Sequence, residues 1–528
     1  MKNSPLLRRL TTLTAILLAS CIQPVLAQSD DPLFTITGYQ ITGSTLIDPQ
    51  ILESLANSHT GHDRSFTDIE NARAAVQAAF AERGYGAVQV VIPEQEITGA
   101  DVALRVVEAR LASVDIRGPV FHDEANIRNS LPQLIEGASP NTVALSRSLA
   151  LANENPSKRT AVSLATGDRT GEIIARVAVE DQKTSRFTLG VDNTGGSAHD
   201  STRISATYRN NNLLNRDHQL AAQYITSPEN PSDVRVLGLA YRIPLYALGD
   251  SIQFTAIHST ANSGTVSGID LTGRGSILSG RYIHNLRPQG AYNHHLGFGL
   301  DMRRYNSGLT LQNSGASLNT RLNVHPISLA YSGAWRTQAH QAGGHMTLVH
   351  NIAGGSHGRS ADFNANRAGA EPDYTLIRYG AWYNRVFSNN WSASVTFNGQ
   401  YTDDLLVPVE YFGIGGLDSV RGFHERESAG DIGNRISFEI KTPDLAPRLG
   451  LEQSSMRLAW FVDTAHMERK QVFSGEQKHV SLASTGLGLH YSFASSGHMR
   501  LDLANVLKGD GIRSDNSQRL HFSLNWSF

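Results

Sequence analysis

Beyond Ser185, apolar and polar side chains alternate in segments of about ten residues, separated by runs of Gly, Asn, Ser and Asp. Because successive side chains of a strand point to opposite faces, this pattern predicts strands with one apolar and one polar face. The clearest example is the C-terminal segment, where polar residues alternate with the apolar side chains of Leu520, Phe522, Leu524, Trp526 and Phe528.

These strands favour an antiparallel β-barrel that spans a membrane. A soluble sandwich also has strands with one apolar face. Here, however, aromatic residues gather near strand ends and the polar face is rich in Arg, Asp, Ser, Gln and Gly, as in a barrel with a water-filled interior. Segment 184–528 has 345 residues, about 22 for each strand with its connection, which predicts about sixteen strands. Their expected centres are Leu189, Ala206, Ala222, Gly238, Phe254, Gly280, Phe298, Ala330, Leu348, Ala381, Val395, Phe438, Trp460, Leu489, Leu501 and Leu524.

Residues 32–183 mix helical and strand patterns and predict two small β-α-α-β-β domains, 32–111 and 112–183. The elements expected in the first are a strand Leu33–Thr42, a helix Pro49–Asn57, a helix from the capping box Thr67–Glu70 to Gly84, and strands Ala87–Pro93 and Asp101–Glu108. The elements expected in the second are a strand Leu111–Gly118, helices Glu124–Leu131 and Thr142–Asn153, and strands Thr160–Ala165 and Glu172–Glu180. The core face of the longer helix is expected to carry Ile69, Val76, Ala79 and Phe80.

The first 27 residues have the features of a secretory signal peptide. Basic residues precede the apolar run Leu10–Ala19, which is too short to cross a bilayer, and cleavage is expected after Ala27. Alternatively, the sequence that ends at Cys21 resembles a lipoprotein box, which would make that cysteine the lipid-bearing first residue.

Composition excludes several other classes of function. With 46 basic and 48 acidic residues, the chain carries no net charge that would indicate a nucleic-acid partner. Cys21 is the only cysteine, and His294 and His295 point to opposite faces of one strand, so we expect no metal and no cofactor. A Gly-x-Ser-x-Gly pattern at Gly354–Gly358 needs a helix after it, but 359–372 reads as a polar loop. We therefore expect no enzyme.

A glycine-rich segment from Gly413 to Phe423 carries a single arginine, Arg421. Glycine allows tight, left-handed backbone paths, so the segment can fold back into a confined space. A buried guanidinium there needs an anion. Asp463 is the candidate, because it lies in a strand on the face opposite the apolar row of Leu458, Trp460 and Val462.

The motif Val420-Arg421-Gly422-Phe423, together with Phe461 and Asp463, resembles the two signature motifs of the two-partner secretion transporters, the haemolysin activation/secretion proteins. One departure is Ala465, where the family usually has glycine. The tandem small domains resemble polypeptide-transport-associated (POTRA) domains, and the stretch Ile92–Gly99 resembles the first of them.

The resemblance implies an outer-membrane barrel of sixteen strands with two periplasmic POTRA domains. In the family, an arginine at the tip of a loop inside the barrel pairs with an inward aspartate. By our count that loop is the sixth external one and Asp463 lies on strand thirteen. Members of the family often have a helix ahead of the first domain that plugs the pore, but few residues separate Gln28 from Phe34, so we expect no such helix and the sixth loop as the chief obstruction of the pore. The implied function is capture of an unfolded exoprotein with an N-terminal secretion domain, and its export to the cell surface.

Further partners follow from the same resemblance. The edge strand with Val88, Val90 and Ile92 is the candidate site for capture of the exoprotein, because an exposed edge can bind an extended chain by β-augmentation. The terminal Phe528 resembles the signal read by the barrel assembly machinery, and outer-membrane lipids and lipopolysaccharide would surround the barrel. The alternatives are a barrel insertase of the same superfamily, or a passive porin or receptor.

Overall fold

The computed structural model describes residues 32–97, 101–195, 201–260, 264–266, 269–271, 274–310, 317–472, 475–494, 496–511 and 513–528. The expected signal peptide 1–27, with Cys21, lies outside this range. The chain divides into two compact units between Glu108 and Ala109. The predicted domain limits at 111 and 183 stay predictions; the strands of the three parts run over 34–107, 110–181 and 185–527.

The first unit is a small α+β domain. Its strands are Phe34–Ile36, Tyr39–Thr42, Gly61–Arg64, Gln89–Val91 and Val102–Val107, its helices are Pro49–Ala56 and Phe66–Glu82, and Asn57–His59 forms a 3-10 turn. Val102–Val107 lies centrally, parallel to Tyr39–Thr42 and antiparallel to Gln89–Val91. The predicted strand Leu33–Thr42 is in fact two strands, because Phe34–Ile36 pairs separately with Gly61–Arg64, a strand that the sequence analysis missed.

The longer helix of this unit begins two residues earlier than predicted. Ser65 is its N-cap, and the Ser65 amide donates to the Asp68 carboxylate at 2.9 Å, so the capping box is not Thr67–Glu70. Both sequences fit the capping pattern, and the earlier one gives the longer helix. The predicted core face is confirmed: Ile69, Val76, Ala79 and Phe80 are all buried against the sheet.

The second small domain repeats this arrangement. Its strands Arg110–Arg117, Lys158–Thr166 and Glu172–Asp181 and its helices Glu124–Ser130 and Thr142–Ala152 follow the predicted order. The third strand is again central, parallel to the first and antiparallel to the second. The sheet packs on a core that includes Ile127, Leu131, Leu145, Val177 and Val179.

The rest of the second unit is a closed antiparallel barrel of sixteen strands. Barrel strands 1 to 8 are Ser185–Asp192, Arg203–Leu213, His218–Thr226, Arg235–Leu245, Asp250–Ser259, Gly275–Asn285, Tyr292–Thr310, and the pair of segments Ser317–Val324 and Pro326–Arg336, which both pair with strand 7. Barrel strands 9 to 16 are His340–Asn351, Thr375–Val386, Ser392–Thr402, Ile432–Lys441, Ser455–Glu468, His479–Phe493, Gly497–Lys508 and Gln518–Ser527. Each expected centre falls in a different strand, which confirms the count.

Short elements lie in the barrel connections. They are the strands Gly264–Val266, Ile269–Leu271, Phe412–Ile414 and Ser428–Gly430, the 3-10 turns Pro408–Glu410 and Ala446–Leu449, and the helix Ser360–Asn366. That helix corrects the prediction of a purely polar loop at 359–372. It is only seven residues long and is stabilised by burial of Phe363 against Tyr374, a tertiary contact that no helical period reveals.

The two faces of the barrel differ as the alternation predicts. On strand 13, Leu458 and Trp460 are exposed on the outer surface, whereas Phe461 and Asp463 are buried inside. Strand 16 closes the barrel by pairing with strand 1 over five residue pairs, from Ser523–Asp192 to Ser527–Thr188. Among the described residues, no helix has the length and apolar character required to cross a bilayer.

The second small domain is joined to the nearest turns of the barrel by a buried polar cluster. Asp217, in the turn between barrel strands 2 and 3, accepts hydrogen bonds from Asn126 at 3.1 Å, Asn155 at 3.2 Å and the Tyr246 hydroxyl at 2.6 Å. The Lys158 ammonium pairs with the same carboxylate and donates to Asn126 at 3.0 Å. Both charged side chains are at most 1% exposed, so this cluster fixes the domain on the barrel.

Candidate functional site

The connection between barrel strands 11 and 12, residues 403–431, is called loop 6 because it is the sixth external connection. Its two limbs pair as a hairpin, Phe412–Ile414 with Ser428–Gly430, and between them the chain turns at Gly415 and Gly416. These glycines have φ of 102° and 113°, which side chains rarely adopt. The hairpin allows the tip of loop 6 to fold back into the barrel.

The tip brings Arg421 onto Asp463 of strand 13. Arg421 Nε lies 2.7 Å from Asp463 Oδ2, Nη2 lies 2.8 Å from Oδ1, and the Arg421 amide donates to Oδ2 at 3.1 Å. Arg421 is 3% exposed and Asp463 is 0% exposed. A bidentate pair of this kind fixes position as well as charge.

Neighbouring strands complete the site around the guanidinium. Glu439 on strand 12 accepts from Arg421 Nη1 at 2.7 Å, and Asp502 on strand 15 lies 3.7 Å away. The guanidinium also lies 3.4 Å from the centroid of the Phe461 ring, which contributes a cation–π contact. The sequence analysis missed both extra carboxylates, although each occupies an inward position in its alternating strand.

The residues on either side of Arg421 are packed as tightly as the arginine. The Gly422 amide donates to His521 Nε2 at 2.8 Å, which ties the tip to strand 16. Gly422 has φ of 99°, and a Cβ atom there would lie 3.1 Å from Val506. Val420 and Phe423 are 0% exposed and pack in a cluster with Ala465, so the alanine fits where the family usually has glycine.

The base of loop 6, where its limbs join strands 11 and 12, is held by an adjacent external loop. Arg367, which follows the helix Ser360–Asn366, makes two bonds to Asp431, at 2.6 and 3.0 Å, and donates to the Leu406 carbonyl at 2.5 Å. Arg367 is 3% exposed and Asp431 is 0% exposed. Both limbs of loop 6 are therefore bonded to one side chain from outside the loop.

The candidate edge in the first domain is less open than the sequence suggested. The side chains of Val88 and Val90 are 2% and 3% exposed because they point into the core, so they are not available to a partner. On the free edge, the Gln77 side chain donates to the Val88 carbonyl at 2.5 Å and accepts from the Val90 amide at 2.8 Å. Ile92 is half-buried and lines a groove beside this edge with Phe66, Glu70, Arg73 and Ile97.

Phe528 belongs to the seam where the barrel closes. Its amide donates to the Phe187 carbonyl at 2.8 Å, and its ring lies 6.5 Å from the Phe187 ring. The side chain is 64% exposed on the outer surface of the barrel. Among the described residues, no group of three or more His, Cys, Asp or Glu side chains could hold a metal ion.

Comparisons with known proteins agree with this architecture. A family model described as haemolysin secretion/activation protein ShlB/FhaC/HecB matches residues 171–491, more than half of the chain. The chain belongs to this family. A second model, described as the POTRA domain, ShlB-type, matches residues 34–109.

The curated relatives of this chain have low sequence identity to it, but the similarity extends over most of their length. The hemolysin transporter protein HpmB of Proteus mirabilis is 22% identical over 92% of this chain and 84% of that protein. The hemolysin transporter protein ShlB of Serratia marcescens is 23% identical over 90% of this chain and 83% of that protein. The outer membrane transporter CdiB of Escherichia coli is 22% identical over 78% of this chain and 70% of that protein.

Solved structures show the same fold. CdiB from Escherichia coli superposes with a TM-score of 0.71 at 17% identity, covering 96% of this chain and 93% of that one. CdiB from Acinetobacter baumannii gives a TM-score of 0.69 at 16% identity, covering 94% and 91%. The predicted fold, function and location are confirmed: this member of the ShlB/FhaC/HecB family is an outer-membrane transporter of two-partner secretion, with a secreted exoprotein as its partner.

Proposed function

We propose that the first POTRA domain captures the extended exoprotein, which then passes through the barrel lumen when loop 6 moves aside. The observation that carries this proposal is the buried contact between Arg421 and Asp463, which holds loop 6 inside a closed barrel. No covalent chemistry is part of the proposal, since threading an unfolded chain needs binding and an open path.

Capture is assigned to the edge strand Gln89–Val91 and the groove beside it. The main-chain groups on this edge can bind an extended chain whatever its side chains are. Gln77 now bonds two of these groups, so a partner strand would exchange with a side-chain amide rather than fill an empty edge. The groove, with Ile92 and Ile97 beside Glu70 and Arg73, offers both apolar and charged contacts.

Loop 6 is assigned the role of closing the pore. Its tip bonds side chains of strands 12, 13 and 16 through Arg421 and Gly422, so displacement of the loop has to break a buried ion pair. A passive porin is disfavoured by the same contacts, because a buried, hydrogen-bonded loop occupies the space through which solutes would pass. A polar cavity remains beside the loop, with Arg281, Gln223 and Asn398 among its lining residues.

The surface of the barrel supports two further partners. The exposed apolar side chains of the outer face would contact outer-membrane lipids, including lipopolysaccharide, as in other transmembrane barrels. Phe528 directly follows strand 16 at the closing seam, where the barrel assembly machinery would read it as a C-terminal signal.

Secretion by the Asp463→Ala variant tests the assignment of loop 6. We expect the exoprotein to disappear from the medium while the folded barrel keeps its heat-modifiable migration and its level in the outer membrane. Asp373→Ala is the matched control, because Asp373 is exposed on an external loop. If Asp463→Ala secretes as the control does, loop 6 is not held as proposed; if the folded barrel is lost, the pair serves stability alone.

A further inference from the structure

Besides Arg421 and Asp431, loop 6 carries a further buried charge away from its tip. The limb that leaves strand 11 forms the 3-10 turn Pro408–Glu410. The Glu410 side chain is 0% exposed, and a carboxylate in such a position needs cationic partners. No sequence motif marks this residue.

Two inward arginines bind the two oxygens of Glu410. Arg303 of strand 7 donates from Nη1 to Oε1 at 2.8 Å, and Arg378 of strand 10 donates from Nη2 to Oε2 at 2.9 Å. Arg303 is fixed in turn by Asp301, which accepts from its Nη2 at 2.6 Å. Glu410 is therefore held on the barrel wall by two separate ion pairs.

Gln400 of strand 11 extends the contact to both limbs of loop 6. Its Nε2 donates to the Glu410 carbonyl at 2.9 Å and to the Asp431 carbonyl at 3.0 Å. Its Oε1 accepts from Arg378 Nε at 3.0 Å, so the glutamine also orients one of the two arginines. The side chains of Tyr305, Tyr374, Val407 and Val409 around the pairs are buried.

The two ends of the loop have opposite electrostatic character. The tip places a cation, Arg421, on the acidic wall made by Glu439 and Asp463. The base places an anion, Glu410, on the basic wall made by Arg303 and Arg378. Only one orientation of the loop satisfies both walls, because a reversed loop would place like charges together.

We propose that Glu410 is a second anchor of loop 6 and acts as a positioning residue for the gate. The inference rests on the proposed role of loop 6 in closing the pore and adds a requirement to it. Release of Arg421 from Asp463 leaves the base of the loop bonded to strands 7 and 10, so full opening requires the Glu410 contacts to break as well.

Planar-bilayer recordings of the purified full-length protein test this inference without any exoprotein. We expect Glu410→Gln to raise the fraction of time spent in large openings at least about tenfold, because loss of a buried, doubly paired charge shifts the loop equilibrium strongly. The double variant Glu410→Gln/Asp463→Asn should spend more time in large openings than either single variant. Glu425→Gln is the matched control, since the Glu425 carboxylate accepts from the Leu417 amide of the same loop.

The outcomes separate the anchor from the gate. The second anchor is overturned if folded Glu410→Gln spends no more time in large openings than the wild type. It is also overturned if the double variant spends no more time in them than Asp463→Asn. If Glu410→Gln fails to fold, Arg378→Gln replaces it, because that arginine is 36% exposed; it should also raise openings, and wild-type behaviour overturns the inference. Deletion of residues 403–431 is the reference, because unchanged conductance there contradicts the gate itself rather than the anchor.

Discussion

Arg421 and Asp463 are 42 positions apart in the chain, yet their side chains form two hydrogen bonds of 2.7 and 2.8 Å inside the barrel. The guanidinium also reaches Glu439, so a single loop residue is bonded to two adjacent strands. The contact depends on the loop backbone as much as on the charges, because the hairpin of loop 6 sets how far its tip extends.

Substitution of Gly422 tests the backbone contribution. We expect Gly422→Ala to impair secretion and lower the unfolding temperature, because its φ of 99° costs an alanine about 1–2 kcal/mol and the new Cβ lies 3.1 Å from Val506. Gly290→Ala is the control, since Gly290 has φ of 61° but nothing within 4 Å of a built Cβ. Equal effects of the two variants on secretion would contradict tight packing at the loop tip.

The capture groove leads to a second prediction. Ile92→Asp places a charge in the groove beside the edge strand without altering the barrel, so we expect less exoprotein in the medium at an unchanged level of folded transporter. Ile51→Asp is the control, because Ile51 is 48% exposed on a helix of the same domain. Normal secretion by Ile92→Asp would locate capture elsewhere.

The buried cluster between the second small domain and the barrel leads to a third prediction. Asp217→Asn keeps the shape of the side chain but leaves the Lys158 ammonium, which is buried, without its counter-charge. Removal of one partner of a buried pair costs about 3–5 kcal/mol, so we expect rapid proteolysis of the second domain while the barrel stays intact. Digestion at the wild-type rate would show that the domain is held by other contacts.

The pH dependence of the same domain supplies a fourth prediction. Burial opposes ionisation of Asp181, but hydrogen bonds from the His122 ring and from the amides of Val120, Phe121 and His122 outweigh it and lower the pKa of Asp181. A lowered pKa gives stability that is complete above the unfolded value of about 3.9 and is lost as the pH falls below it. The protection of these three amides against hydrogen exchange, corrected for the intrinsic exchange rate at each pH, should therefore fall below about pH 4.

The Asp181→Asn variant checks the origin of that change. It should exchange quickly at neutral pH already, and the additional loss at low pH should be smaller than in the wild type. If the variant loses as much amide protection at low pH as the wild type does, the effect belongs to another group.

Much of the fold follows from the sequence because a barrel strand is specified locally. Alternation along about ten residues is enough to fix a spanning strand, and all sixteen expected centres lie in separate strands. The positions of Arg421 and Asp463 could be predicted for the same reason. Counting strands places Arg421 in the sixth external loop, and alternation places Asp463 on the inner face of strand 13.

The elements that could not be predicted depend on contacts between distant segments. The helix Ser360–Asn366 is stabilised by Phe363, the strand Gly61–Arg64 exists through its pairing with Phe34–Ile36, and Gln77 covers an edge strand that looks free in the sequence. Glu410 was missed because a lone glutamate between apolar residues has no pattern. Only the closed barrel brings it between two arginines.

Mass spectrometry of the culture medium tests the central claim most directly, by comparing the wild type, a strain that lacks this gene, and that strain complemented with Asp463→Asn. We predict that one large protein is abundant in the wild-type medium, absent without the gene and strongly reduced with Asp463→Asn. Identical sets of secreted proteins in the wild type and the deletion strain would contradict the account.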